Sequence, residues 1–164
     1  MFVKWIECSV LKSKLHHFSS AQEKWSSLSN VQGCAGQLGG WEHRKEMSIA
    51  HIFGFWTDEL SYQQFMNGYH DDIYERTGQS GTFEGINIVS GHMSDDALSS
   101  IISKSDRLRY ISENSDLASF VKLQLLVQDC VQFESKIMLK AGQMKGVHLD
   151  IELEPSWTAK NKAV

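Results

Sequence analysis

MSIAHIFGFW, Met47–Trp56, runs straight into TDELSYQQFMNGYHDDIYERTG, Thr57–Gly78, and this junction decides the fold. The first ten residues are rich in branched and aromatic side chains, the composition of a half-buried strand. The period then changes. Thr57 reads as a helix N-cap, with Asp58 and Glu59 placing negative charge in the first turn. Tyr62, Met66, Tyr69 and Ile73 follow at steps of four, three and four, an apolar stripe on one helix face. Gly78 supplies the stop. A strand that hands over directly to a helix is one part of a β–α unit, and its flanks set the topology.

Upstream, residues 2–10 alternate. Phe2, Ile6, Cys8 and Val10 point one way with Lys4 among them, and Val3, Trp5, Glu7 and Ser9 point the other. Residues 13–29 read as a helix, because Leu15, Phe18, Gln22, Trp25 and Leu28 fall at helical spacing. The glycine-rich run VQGCAGQLGGWE, 31–42, suits a strand that bends or lets another backbone approach closely. The polar cluster His43–Glu46 is a hairpin tip. Downstream, Thr82–Val89 is a fourth strand. The order is βαββαβ within about ninety residues, the ferredoxin-like split βαβ arrangement of an α+β protein.

The remainder opens with a short helix over Ser94–Lys104, capped by Ser94 with Asp95 and Asp96 behind it. An internal echo follows. VKWIECS (3–9) matches LRYISEN (108–114); Phe18 and Gln22 match Phe120 and Gln124; AGQLGG (35–40) matches AGQMKG (141–146); Trp56-Thr57 matches Trp157-Thr158. The chain thus divides into a ferredoxin-like unit, 1–92, and an incomplete second repeat of order β-α-β-β, 93–164. The repeat predicts strands at 108–113 and 147–153, side by side and antiparallel. It predicts a helix over Asp116–Leu139 along the stripe Leu123, Val127, Cys130 and Ile137, although VKLQLLV also alternates as a strand would.

The βαββαβ order, the second strand ending in Gly-Gly-Trp and the stretch FGFWTDELSYQQFM, 53–66, resemble the dimeric α+β barrel superfamily. Within it they are most similar to the YdbC-like proteins of unknown function, relatives of the antibiotic-biosynthesis and IsdG-type haem-degrading monooxygenases. The resemblance implies two sheets facing one another to close a barrel, usually through homodimerisation. It does not carry haem degradation with it. In the haem-degrading members an Asn of the first strand, and an aromatic residue and a His of the second helix, form the site. The aromatic position falls on Phe65, but the His position falls on Glu75 and residues 2–10 hold no Asn. An axial ligand needs an imidazole or an equally good donor at a fixed place.

Two function classes remain. One is a cofactor-independent monooxygenase acting on a flat aromatic small molecule held between the sheet and the second helix. Its carriers would be His70 and Tyr74, with Trp5 and Phe65 as walls and His51 lining the pocket. The other is a non-catalytic ligand-binding or stress-associated domain with the same cavity. His70 lies about 40° round the helix from Met66, at the edge of the apolar stripe. There it serves either as a general base or as a boundary histidine satisfied by water or Asp71. His51 shares a strand face with Ile49, Phe53 and Phe55, so it either lines a pocket or is a hydrogen-bonded core residue.

Composition narrows the rest. The 164 residues carry a net charge of −4 with His neutral, which offers no basic face for nucleic acid. No apolar run approaches the roughly 20 residues of a membrane span, and MFVKWIECSV does not read as a signal peptide. The three cysteines, Cys8, Cys34 and Cys130, sit at unrelated spacings, as expected of free thiols in a reducing cytoplasm. His16, His17 and His43 lack metal-site spacing, so neither a metal nor a cofactor is expected. The Gly78–Thr82 segment resembles a phosphate loop only faintly and reads as a turn. The bare face of the sheet predicts a homodimer.

Overall fold

The computed structural model describes residues 1–94, 98–115, 118–140 and 148–161. β1 (Phe2–Leu11) leads through a 3₁₀ turn into α1 (Leu15–Glu23), which a second 3₁₀ stretch prolongs to Asn30. β2 (Cys34–His43) and β3 (Met47–Trp56) form a hairpin; α2 (Glu59–Gly68) and α3 (His70–Thr77) follow, then β4 (Gly85–Met93). The second half holds α4 (Leu98–Ile101), β5 (Arg107–Ser115), β6 (Ala118–Val127), β7 (Cys130–Leu139), β8 (His148–Glu152) and β9 (Ala159–Lys160). The strands make one α+β sheet of order β8-β5-β6-β7-β4-β1-β3-β2-β9.

Asp58, not Thr57, caps α2: its carboxylate accepts the Ser61 N–H at 2.7 Å. The expected single helix breaks at Tyr69, whose φ of −126° leaves the helical range. The break turns Tyr69 out to solvent, and Phe65 takes the buried place on that face.

All the named strand pairs are antiparallel, and β1 is central, with Trp5 opposite both Phe53 and Val89. The far ends of the sheet meet. Gly40 of β2 bridges Leu153 just beyond β8, and the Glu154 N–H donates to Gly39 O at 2.8 Å. A Cβ on Gly40 would stand 2.1 Å from Glu152 O, so only glycine permits this approach.

The helix expected over Asp116–Leu139 is instead the β6–β7 hairpin. Gln128 and Asp129 both have positive φ, 49° and 64°, the backbone of a two-residue turn whose twist matches its strands. Leu123 and Leu125 of β6 and Phe133, Ile137 and Leu139 of β7 are buried in alternation. The β-α-β-β order is therefore corrected: among its described residues the second half holds α4 followed by five strands, β5–β9. β5 and β8 do pair antiparallel, Tyr110 opposite Leu149. AGQMKG (141–146), Asp95, Asp96, Asp116, Leu117 and Val147 lie outside the described residues.

The interior lies between the two halves. Val3, Trp5, Phe53 and Phe55 from the first pack with Leu108, Tyr110, Leu123 and Ile137 from the second. Full burial of each such side chain contributes about 1.5–3 kcal/mol. The apolar face that motivated a homodimer is thus covered within the chain, and that ground for a second copy is gone. The opposite face of β1–β4 carries α1–α3, and there the sheet and helices do not close completely.

Candidate functional site

Between the helices and the outer face of β1, β3 and β4 lies a cavity of about 290 Å³. β1 contributes Lys4, Ile6 and Cys8, its even-numbered side chains, as strand alternation requires. The 3₁₀ extension of α1 sends in Trp25; α2 and α3 supply Phe65, His70 and Tyr74; Trp56 closes the wall from β3. Gly54 lies on the floor, where a Cβ would meet nothing closer than Trp56 Nε1 at 3.5 Å. Ile86 and Ile88 of β4 line the cavity yet remain exposed, so the mouth opens there.

His70, Tyr74 and Phe65 are thus brought together. The His70 ring stacks on Tyr74 at 6.0 Å and 7°, tilts against Trp25 at 5.7 Å, and meets Phe65 edge to face at 5.7 Å. Its Nδ1 lies 2.9 Å from Asp71 Oδ1. An ionised carboxylate only accepts, so Nδ1 carries the proton and Nε2 of the neutral ring presents a lone pair. Glu75, where the resemblance to the haem-degrading members would have called for a His, is exposed and outside the cavity lining.

Trp5 and His51 do not join them. Both lie on the other face of the sheet, Trp5 stacked on Phe53 at 5.5 Å and tilted against Tyr110 at 4.6 Å. The indole N–H of Trp5 donates to His51 Nδ1 at 3.1 Å, and His51 Nε2–H donates to Glu42 at 2.9 Å. His51 is the hydrogen-bonded core residue. Burial pulls its imidazole below the ordinary value, with the Glu42 bond opposing. Odd-numbered β1 residues cannot reach a cavity lined by even-numbered ones, so Trp5 as a wall is corrected.

Three polar groups complete the site. Trp25 Nε1–H donates to Gln79 Oε1 at 2.8 Å, and Gln79 Nε2 donates to Gln22 Oε1 at 2.8 Å. Indole nitrogen is a donor only, so the direction of both amides is fixed from the Trp25 end. Gln22 Nε2 is left facing the cavity with no protein acceptor among the described residues. Gln79 sits in the Gly78–Thr82 turn, with φ of 70° at Gly78 and 77° at Gly81. Lys4 is the third group, its Nζ 4.9 Å from the centroid of Tyr62. Burial, then repulsion from Lys140, lowers its ammonium from the ordinary value, with Glu59 opposing.

Sequence reading noted Lys4 and Gln22 but assigned them no role. The signal was their place: a lysine on the apolar face of β1 and an amide on the apolar stripe of α1. Cys8 and Cys34 also line the cavity, and burial pushes both thiols up to about 12, so neither is a ready nucleophile.

The family described as Domain of unknown function (DUF4937) matches residues 2–90. The chain belongs to the DUF4937 family. "Uncharacterized protein YdbC" of Bacillus subtilis (strain 168) is 33% identical over 90 residues, which are 54% of this chain and 76% of that protein. Two solved structures share the fold across both halves. The "putative monooxygenase" of Lactobacillus acidophilus NCFM superposes with a TM-score of 0.51 at 9% identity, covering 99% of this chain and 98% of its own. The "putative monooxygenase" of Fusobacterium nucleatum gives 0.60 at 9% identity, covering 98% and 94%. The cavity lining runs only from Lys4 to Ile88, entirely within the DUF4937 match. The second half buries the back of the sheet and leaves the DUF4937 cavity to the first. No helix among the described residues is long and apolar enough to cross a membrane.

Proposed function

We propose that this chain is a cofactor-independent monooxygenase whose substrate is a flat aromatic small molecule held between the sheet and α2–α3. We further propose that it is a ferredoxin-like βαββαβ unit closed against a second, mostly β unit as a barrel within one chain. The strand order β4-β1-β3-β2, the Gly40–Leu153 bridge and the shared interior support the second reading.

One observation carries the first: the cavity beside His70 is open, aromatic-walled and polar-tipped, as a pocket for such a ligand should be. His70 Nε2 would take a proton from an acidic ring methylene or hydroxyl. The resulting electron-rich anion reduces dioxygen, a ring carbon gains oxygen, and a CH₂ centre becomes C=O with release of one water. Tyr74, whose hydroxyl has no hydrogen-bond partner among the described residues, is placed to donate to the developing oxyanion. Oxygen consumption with a hydroxylated anthrone and no added cofactor tests this. One O₂ per quinone is expected, with His70→Gln slower by about 10²–10⁴-fold.

A second reading is favoured by Asp71, which orients His70 yet is 96% exposed. Water competes for that bond, and a cavity that only sequesters its ligand needs no oriented base. Tight aromatic binding with no oxygen uptake would select it.

A further inference from the structure

The cavity lining includes no Asp or Glu among the described residues, although the chain as a whole is acidic. Its ammonium, Lys4, has no carboxylate within ion-pair distance among those residues. The carboxylate of Glu59, which acts on it from outside the lining, is taken by Lys140 at 2.6 Å and stands 3.7 Å from His92. A half-buried cation over an aromatic ring, with no carboxylate in ion-pair contact, is a receptor for an anion. Further along, Gln22 is 2% exposed and its NH₂ is directed by the Trp25–Gln79–Gln22 chain. The Gln79 turn leads into Phe83, also in the lining, and the Glu84 N–H bonds Ser9 O. That places the amide toward the Cys8 end of β1. Lys4 and Cys8 are four residues apart, about 13 Å at ~3.3 Å per strand residue.

Resting on the proposed aromatic pocket, we propose that its ligand is an anionic aromatic: a carboxylate or phenolate oxygen bound by Lys4, and a carbonyl oxygen at the far end of the ring system bound by the Gln22 amide. Composition does not dictate this polarity, since the lining is cationic in a chain of net charge −4.

The test measures binding of 2-naphthoate and of its neutral isostere 2-naphthamide to the full chain by tryptophan fluorescence. The wild type should prefer the carboxylate by about tenfold or more, the value of a hydrogen bond to a charged group. Lys4→Met should lose that preference while still binding 2-naphthamide, and Lys4→Arg should keep it. In a second arm, 6-acetyl-2-naphthoate should bind the wild type about three- to tenfold better than 6-ethyl-2-naphthoate. Gln22→Leu should erase the difference. So should Gln22→Glu, which still accepts from Gln79 and keeps the fold but has no donor for the ketone. Equal binding of naphthoate and naphthamide by the wild type, or an undiminished preference in Lys4→Met, overturns the anion assignment and leaves the pocket standing. An acetyl preference retained in both Gln22 variants overturns the amide assignment. Binding of none of the four probes overturns the pocket itself.

Discussion

The indole N–H of Trp25 donates to the side-chain carbonyl of Gln79 across 2.8 Å, joining the end of the first helical layer to the turn after α3. This bond fixes the direction of the amides behind it and so decides what the cavity presents to a ligand. Gln79 is buried, donates in turn to Gln22, and takes the Thr82 hydroxyl on its backbone carbonyl. Replacing it with leucine strands one buried donor and one buried acceptor. Gln79→Leu should lose about 2–4 kcal/mol of unfolding free energy in urea, and a loss within 0.5 kcal/mol would show that the chain of amides is not structural.

The interior between the halves predicts a single cooperative unit. Leu123 is fully buried against residues of both halves. Leu123→Ala should destabilise the whole chain by about 2–5 kcal/mol. Far-UV signal and tryptophan fluorescence should shift together. Separate transitions for the two halves would contradict the shared core. Because the sheet face is covered in cis, the chain should sediment near 18.6 kDa at micromolar concentration.

Burial lowers the His51 imidazole from its ordinary value of 6.5, with Glu42 and Glu7 opposing. The unfolded chain therefore binds this proton at higher pH than the folded one. Its contribution to stability is fully present above pH 6.5 and is lost as pH falls from there through the lower folded value. Thermal midpoints should decline with acidification below pH 6.5, and the decline should be shallower in His51→Gln. Parallel curves would remove His51 as the cause.

Thiol chemistry should separate the three cysteines. Cys130 is exposed, whereas Cys8 and Cys34 are buried with thiols pushed up to about 12. At pH 8 only about one in ten thousand of the latter is thiolate. Iodoacetamide should modify one cysteine quickly, and the other two only on unfolding.

Most of the first half was legible because each element's pattern agreed with its place. Residues 47–56 are a strand in both readings, and alternation in β1 separated its two faces, although Trp5 of the interior face was expected to wall the cavity. The second half misled where two periods overlapped. Leu123, Val127, Cys130 and Ile137 fit a helical stripe, yet Cys130 is exposed, and the buried residues are Val121, Leu123, Leu125 and Leu126 of β6 with Phe133, Ile137 and Leu139 of β7. The deciding signal was Gln128-Asp129, a two-residue turn without glycine, which pattern reading passes over. Trp5 and Tyr110, the aromatic members of the VKWI and LRYI echo, meet across the interior at 4.6 Å. Among the cavity residues, His70 and Tyr74 were picked out from helical spacing, and Phe65 from the family resemblance. Gln79 was not, since a glutamine in a glycine turn gives no sign of burial before the fold closes over it.

The central claim is that the helix-side cavity holds a flat aromatic ligand. Gly54 on its floor offers a plug, because there is room for a Cβ and the interior core lies on the other face of the sheet. Thermal melting of the wild type and Gly54→Leu, each with and without saturating 2-naphthoate, is the most direct measurement. At a hundredfold excess over Kd, binding adds about 2.7 kcal/mol, a rise of roughly 5–11 °C for a domain of this size. The account predicts that rise in the wild type and none in Gly54→Leu. An equal rise in both proteins, or none in either, would contradict it.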